Sequence, residues 1–308
     1  MPGETHYFED VYARRETLGD FWAQQASSIL VKKRLLSMYR RYAEFSDQER
    51  LEALQAEQGL VDRLIANSCD YCELFRGLMG EQMRSVGKER WGNNVPRDVF
   101  CLNDILLCCP DAKFLVCIRD PRDFLLSYKG KWKIAEKDHI ARLKSLYHPV
   151  VTTLLWLSSM RAIRAAEENI PQDQIMVQRY EELVSDPHAA VKRVCAFLDI
   201  EFEAAMLDVS DHNSSEETDA TGIFDRSVGR WRSLLAPDEV AVAQLLAGRM
   251  MAQFGYGCVQ TGASKLRVAA QLLKTPAALY RALEANSGTR GPLPKYLYQR
   301  LRFLVSKS

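Results

Sequence analysis

No stretch of the 308-residue chain approaches eighteen consecutive apolar residues, so no segment reads as a membrane span. The opening residues, Met1-Pro2-Gly3-Glu4-Thr5-His6, carry neither a basic n-region nor an apolar h-region, and so do not read as a secretory signal. Net charge is nearly absent as well. The 41 basic and 40 acidic side chains leave +1, which argues against non-specific nucleic-acid binding by the whole chain. Eight cysteines are too few for a disulfide scaffold of this length. Cys108, Cys109, Cys117 and Cys195 sit inside apolar runs, as reduced core cysteines do, and a reducing cytoplasm is the expected home. Cys69 and Cys72 form one C-x-x-C, but no second pair follows at zinc-finger spacing. A structural role is therefore favoured there, and no metal is expected. What remains is ordinary: 47% hydrophobic and 26% charged residues, ample to bury a core, in one large domain or two small ones.

The charge is unevenly spread. Residues 258–308 hold nine Lys/Arg against the single acid Glu284, a net +8, so residues 1–257 carry −7. The sequence thus divides into a main domain over 1–257 and a basic amphipathic extension over 258–308. Within the extension, Leu266–Leu283 and Tyr296–Val305 are amphipathic, separated by Ser287-Gly288-Thr289-Arg290-Gly291-Pro292. Two readings apply to these stretches. One is a helix packed on the domain with its lysines solvated, which the modest apolar faces favour; the other is peripheral contact with a membrane surface.

Residues 9–90 read as helical, with apolar residues at three- and four-residue intervals and a capping box at Ser46 and Glu49. Trp91-Gly92-Asn93-Asn94-Val95-Pro96 breaks that pattern. Lys113–Ile118 is a short continuous apolar run, the signature of a strand buried on both faces. Asp120-Pro121-Arg122-Asp123 then supplies an N-cap, a proline at the first helical position and an acid three residues after the cap. The same grammar recurs: a strand at Gln174–Gln178, a connection over Arg179–Ser185, and a helix opened by Asp186-Pro187. Strand–loop–helix alternation predicts an α/β fold, a mainly parallel sheet flanked by helices. Ligands bind beyond the carboxyl ends of such strands, where Arg119 and Tyr180 stand. A last helix is predicted from Pro237 to Phe254, with Gly255 past its end.

Arg119 is a fixed cation at the end of a strand. Ser127 lies two turns into the following helix, and Lys131 is four residues further on the same face. A guanidinium, a hydroxyl and an ammonium near a helix start form an anion site, most naturally for phosphate. The structural alternative pairs Arg119 with Asp120 or Glu181 and leaves Ser127 incidental.

The segment KFLVCIRDPRDFLLSY resembles the 3′-phosphate-binding motif of sulfotransferases that use 3′-phosphoadenosine 5′-phosphosulfate (PAPS). QRYEELVSDPHAAVKRVCAFLDIEF resembles the strand–helix unit that follows in that family. SVGRWRSLLAPDEVAVAQLLAGRMMAQFGY resembles its C-terminal signature. Three motifs in the family's order over about residues 88–257 are more specific than any one alone. The likeness is to the bacterial and tyrosylprotein/carbohydrate type. It implies a helix-rich, nucleotide-kinase-like fold. It also implies that Arg119 and Ser127 bind the 3′-phosphate, that Lys131 adds a basic contact, and that Tyr180 lies near the adenosine half. By the same resemblance Ser227, Gly229 and Arg230 belong to the loop over the nucleotide, with Trp231 in the core. Glu4 matches the family's general base, which a neutral hydroxyl needs to become a nucleophile. His6 is a weaker candidate for that role. The acceptor implied is a hydroxyl or amine of a carbohydrate, lipid or small molecule, and PAP is the product.

Two departures from the family pattern stand out. The glycine- and Ser/Thr-rich phosphosulfate loop, with its strand and helix, is not found, and the expectation is that about 25 residues would be needed to supply it. Gly257–Ser264 has a similar glycine spacing, but alanine stands at the lysine position and no strand leads in. Loss of the first strand would leave unpaired backbone groups on its neighbours and a poorly stable chain. Second, Asn94 stands where many relatives have a lysine, and it can donate a hydrogen bond without supplying charge. The competing readings are an inactive relative that binds PAP or a partner, and a nucleotide kinase, which lacks its lysine loop here.

Overall fold

The computed structural model describes residues 5–40, 58–134, 137–209, 222–287 and 292–305. Glu4 and the Ser46/Glu49 capping box lie outside these residues. The chain divides into two compact units: Met1–Ala112 with Thr289–Gln299, and Lys113–Gly288 with Arg300–Ser308.

The regular elements among the first unit's described residues are all helical, as its three- and four-residue apolar spacing predicts. It holds short turns at Tyr7–Asp10 and Arg15–Leu18, then helices Gln25–Arg40, 58–66, Tyr71–Ser85 and Leu102–Cys108. Aromatic rings form its centre. Phe8 meets Phe75 edge-on at 4.7 Å, Tyr7 lies 5.1 Å from Phe75, and all three are at most 1% exposed. Tyr7 can afford such burial because its hydroxyl donates to the Tyr71 carbonyl at 2.6 Å. The Tyr71–Ser85 helix starts on Asp70, whose carboxylate accepts the Glu73 N–H, while Glu73 reaches back to the Cys69 N–H, both at 2.7 Å. This helix brings Cys72, in its first turn, against Cys108 at the end of Leu102–Cys108. The Cα atoms are 4.6 Å apart and the two form a disulfide. The expectation of a reduced core Cys108 is thereby corrected. The contact is between helices 36 residues apart, which neither apolar run discloses. Cys69 stays free and exposed, so the C-x-x-C does not close on itself.

The second unit is α/β and helix-rich. Strands β1 (Phe114–Ile118) and β2 (Ile175–Arg179) pair in parallel, with Phe114 opposite Ile175 and Ile118 opposite Arg179. The crossover between them runs through helices Pro121–Gly130, Lys137–Leu146 and Pro149–Asn169. Four helices of this unit begin on proline (Pro121, Pro149, Pro187 and Pro237), where the missing N–H has no helical partner to lose. Asp120 and Asp186 cap two of them through their carboxylates. Pro237–Gln253 ends before Gly255, whose φ of +77° is open to glycine at no steric cost. A core cluster of this unit gathers Leu125, Trp231, Leu235, Val240 and Ala243. The predicted burial of β1 on both faces is corrected: Leu115 is 43% exposed and Cys117 exposed, while Ile118 is buried. Among the described residues one strand flanks β1, so the apolar run marks a strand here without marking two covered faces. Residues 257–264 form a strap on the Pro237–Gln253 helix. Val259 exchanges two 2.8 Å hydrogen bonds with Gln244, and the Gly257 carbonyl accepts from Arg122.

Candidate functional site

The parallel pairing sets the ends of β1 and β2 side by side, and the residues following them build the site. Arg119 leaves β1 with its carbonyl held by the Trp156 indole N–H at 2.9 Å. Its guanidinium lies over the Tyr180 ring, 4.6 Å from the centroid, and donates to the Ser227 carbonyl at 2.5 Å. Tyr180 starts its own helix, Tyr180–Ser185, in the stretch the sequence suggests as a connection. The Tyr180 and Ser227 hydroxyls are 2.8 Å apart. Three of the expected residues thus converge from the ends of two strands and from one loop.

The carboxylates that could have neutralised Arg119 are engaged elsewhere. Asp120 takes a two-pronged contact from Arg122, at 2.9 and 2.6 Å. Glu181 accepts the Asp120 N–H at 2.9 Å and the Tyr256 hydroxyl at 3.0 Å. Arg119 Nε is buried and has no acceptor among the described residues. A buried guanidinium N–H without a partner is costly, and an incoming anion would satisfy it.

Gly229 turns the Ser227–Trp231 loop at φ +73°, which only glycine adopts without strain. Asp123 holds that turn from below. Its carboxylate accepts the Gly229 N–H at 2.6 Å and the Trp231 N–H at 3.1 Å. Burial raises the Asp123 pKa, and these two N–H donors oppose the rise without cancelling it. Trp231 is buried at 4% exposure, as expected, with the Arg122 guanidinium over its ring at 4.0 Å. Arg230 is half-buried at the start of the short Trp231–Leu234 helix. Ser127 and Lys131 are exposed along and just beyond the Pro121–Gly130 helix. Neither side chain makes a hydrogen bond among the described residues, and the Lys131 ammonium lies 5.7 Å from the Tyr128 ring. Sequence reading missed Asp123, Arg122, Glu181 and Tyr256 as builders of the site. The acid three residues after the cap was a signal, but its carboxylate serves the distant loop rather than its own helix start.

In the first unit, Thr5 and His6 are 4% and 5% exposed. The Thr5 hydroxyl donates to the Asn93 side-chain oxygen at 3.1 Å, and the Asn93 amide donates to Asp98 at 2.7 Å. Arg97 pairs with Glu9 at 2.9 Å. The chain beside Glu4 is therefore tied to the segment that carries Asn94, and Asn94 itself is exposed.

A family model described as "Sulfotransferase family" matches residues 4–204, about two-thirds of the chain. The chain belongs to the sulfotransferase family. A guinea-pig (Cavia porcellus) protein named 3-beta-hydroxysteroid sulfotransferase is 34% identical over 92 residues, 28% of this chain and 31% of that protein. The chain thus spans less than a third of that curated relative. A solved sulfotransferase domain from the curacin biosynthetic pathway covers 73% of this chain and 85% of its own, at 16% identity and a TM-score of 0.47. Sulfotransferases as a family transfer a sulfuryl group, in general to hydroxyl-bearing acceptors. No described helix of the chain is long and apolar enough to cross a membrane, and no cluster of metal-ligating residues occurs among the described residues.

Proposed function

We propose that the chain binds PAPS at the Arg119–Tyr180–Ser227 cradle and directs its sulfuryl group to a hydroxyl or amine of a carbohydrate, lipid or small-molecule acceptor. One observation carries the reading. At the position matching the family's phosphate-binding arginine, the side chain is half-buried, Asp120 and Glu181 are engaged by other groups, and the buried Nε–H has no acceptor among the described residues. The nucleotide supplies the activated sulfuryl group. The protein's part is positioning and charge neutralisation, as in phosphoryl transfer. Arg119 holds the 3′-phosphate, Ser127 donates a hydroxyl to it, and Lys131 adds positive charge. Tyr180 flanks the adenosine half, and the Ser227–Gly229–Arg230 loop covers it. Glu4 takes the proton from the acceptor hydroxyl as attack begins. Support for Glu4 is its match to the family's general base in the opening segment Met1–Phe8.

The test is the melting temperature with PAP. At about a hundred times its Kd a ligand of the native state adds about 2.7 kcal/mol. Wild type should show that upshift and Arg119→Ala should not. An equal shift in both would remove Arg119 from the site. Glu4→Gln should keep the shift and lose sulfate transfer. A second reading, PAP binding without transfer, is favoured by the uncharged, exposed Asn94 where relatives place a lysine. It predicts the PAP shift in a wild-type chain that moves no sulfate onto any acceptor.

A further inference from the structure

The basic extension docks in an unusual sense: its small residues face the protein and its large apolar residues face water. Helices Lys265–Leu273 and Thr275–Ala285 follow one another with Lys274 in helical conformation between them. Lys274 closes both helices: its N–H donates to the Ala270 carbonyl and its own carbonyl accepts the Ala278 N–H. Ala278 and Ala282 are buried, at 3% and 9% exposure. Gln271 is tied to Asp238 at 2.9 Å, and Arg142 donates to the Ala285 carbonyl at 2.7 Å. On the outer side, Leu266 is 83% exposed, Leu273 82% and Tyr280 66%. Leu266 and Leu273 stand seven residues apart on one stripe of the first helix, and Tyr280 follows at the same interval, exposed on the second. Each is followed by a cation: Arg267, Lys274 and Arg281. All three cations are exposed and none forms an ion pair among the described residues. Leu272 and Leu279, 39% and 42% exposed, widen the stripe. Glu284 is the one acid of the two helices and lies at their far end.

A leucine exposed beyond four-fifths gains nothing from folding, and two on one stripe with a tyrosine form an apolar face awaiting a partner. We infer that this stripe lies on an anionic lipid surface, its leucines and tyrosine entering the acyl boundary while Arg267, Lys274 and Arg281 meet the headgroups. Charge decides the occupant. A second copy would set cation against cation along the whole stripe, whereas an anionic bilayer complements each one. The repeated pairing of an apolar side chain with a cation suits an interface where long basic side chains reach the headgroups from buried stems.

The test is co-sedimentation of the full chain with phosphatidylcholine vesicles, with and without about a third phosphatidylserine. Binding is expected to the anionic vesicles and not to neutral ones, and to fall as salt is raised. Each surface cation contributes about fivefold to such binding, so R267Q/K274Q/R281Q should weaken it by about a hundredfold. L266S/L273S should weaken it at unchanged net charge, and the circular dichroism of both variants should match wild type because every altered side chain is exposed. Absence of wild-type binding to anionic vesicles, or equal binding to neutral ones, overturns the inference. So does a concentration-dependent dimer that L266S/L273S dissolves in a protein indifferent to vesicles, which would give the face to a second copy.

Discussion

Removing the Asp123 carboxylate gives the most direct view of how this site is held. Asp123 is 2% exposed and its two oxygens hold the Gly229 and Trp231 N–H groups. Hydrogen bonds to a charged group are each worth about 1.5–3 kcal/mol, and a buried N–H left without an acceptor costs about 1–3. Against this stands the desolvation of the carboxylate, visible in its raised pKa. The net expectation for Asp123→Ala is a loss of about 3 kcal/mol. Asp123→Asn keeps one acceptor oxygen and should lose about half as much. The effect should also reach the ligand. The loop that Asp123 fixes carries Ser227, whose carbonyl takes the Arg119 guanidinium and whose hydroxyl meets Tyr180. With the loop released, Arg119 loses its support and PAP should bind at least tenfold more weakly. Urea denaturation reads the first effect and the PAP-induced shift in melting temperature the second. If Asp123→Ala falls within about 0.5 kcal/mol of wild type, the level of an ordinary surface substitution, the reasoning is refuted.

Four further outcomes are expected. The raised Asp123 pKa means the native state takes up this proton more readily than the unfolded chain. Its contribution to stability should therefore fall as pH rises from the unfolded carboxylate value to the native one, and level off above it. Comparing wild type with Asp123→Asn across pH 3–7 isolates that slope; a wild type that gains stability relative to the variant over this window contradicts it. Leu125→Ala, at a fully buried position against Trp231, should cost about 2–5 kcal/mol in urea denaturation. Although the Cys117 residue is exposed, partial desolvation of its sulfur pushes the thiol up to about 11, with Glu181 adding and Arg119 opposing. At pH 8 about one molecule in a thousand then carries the thiolate, so iodoacetamide should label the exposed Cys258 well before Cys117 in peptide mass mapping. Gly229→Ala forces a side chain into a positive-φ turn, and should cost about 1 kcal/mol or more and weaken PAP binding together.

The elements of the second unit were legible because their signals are local. A five-residue apolar strand, an aspartate cap and a proline start are each set by neighbours in sequence, and β1, β2 and the helices led by Pro121, Pro187 and Pro237 fall where those signals put them, whereas the helix led by Pro149 is disclosed by the structure alone. The placement of Arg119 and Tyr180 just past the ends of β1 and β2 was legible for the same reason, and the ends of parallel strands are the places where a ligand can reach backbone and side chains together. The pairing of Asp123 with a loop more than a hundred residues away was not legible, because nothing near Asp123 distinguishes a carboxylate that caps its own helix from one that braces another segment. Glu181 and Tyr256 are hidden in the same way: their contact spans 75 residues and joins groups unremarkable alone. Exposure was the weakest inference. The apolar run of β1 is as continuous as that of a doubly covered strand, yet Leu115 faces water. The leucines of the extension reverse the usual rule, and only the alanines opposite them, small enough for close packing, show why.

The Cys72–Cys108 bridge ties the stability of the helical unit to the redox potential of its surroundings. Its closed loop of about 36 residues takes in nearly all of the Tyr71–Ser85 helix, the Trp91–Pro96 break and the Leu102–Cys108 helix. In the chain-entropy view, closing such a loop disfavours the unfolded ensemble by about 4 kcal/mol. In the glutathione pool of a reducing compartment that contribution disappears, while in an oxidising one it persists. Two of the eight thiols would then be missing from a free-thiol count of native protein, and the unit would melt higher before reductant is added than after. The number of titratable sulfurs in freshly isolated protein thus records where the chain has been.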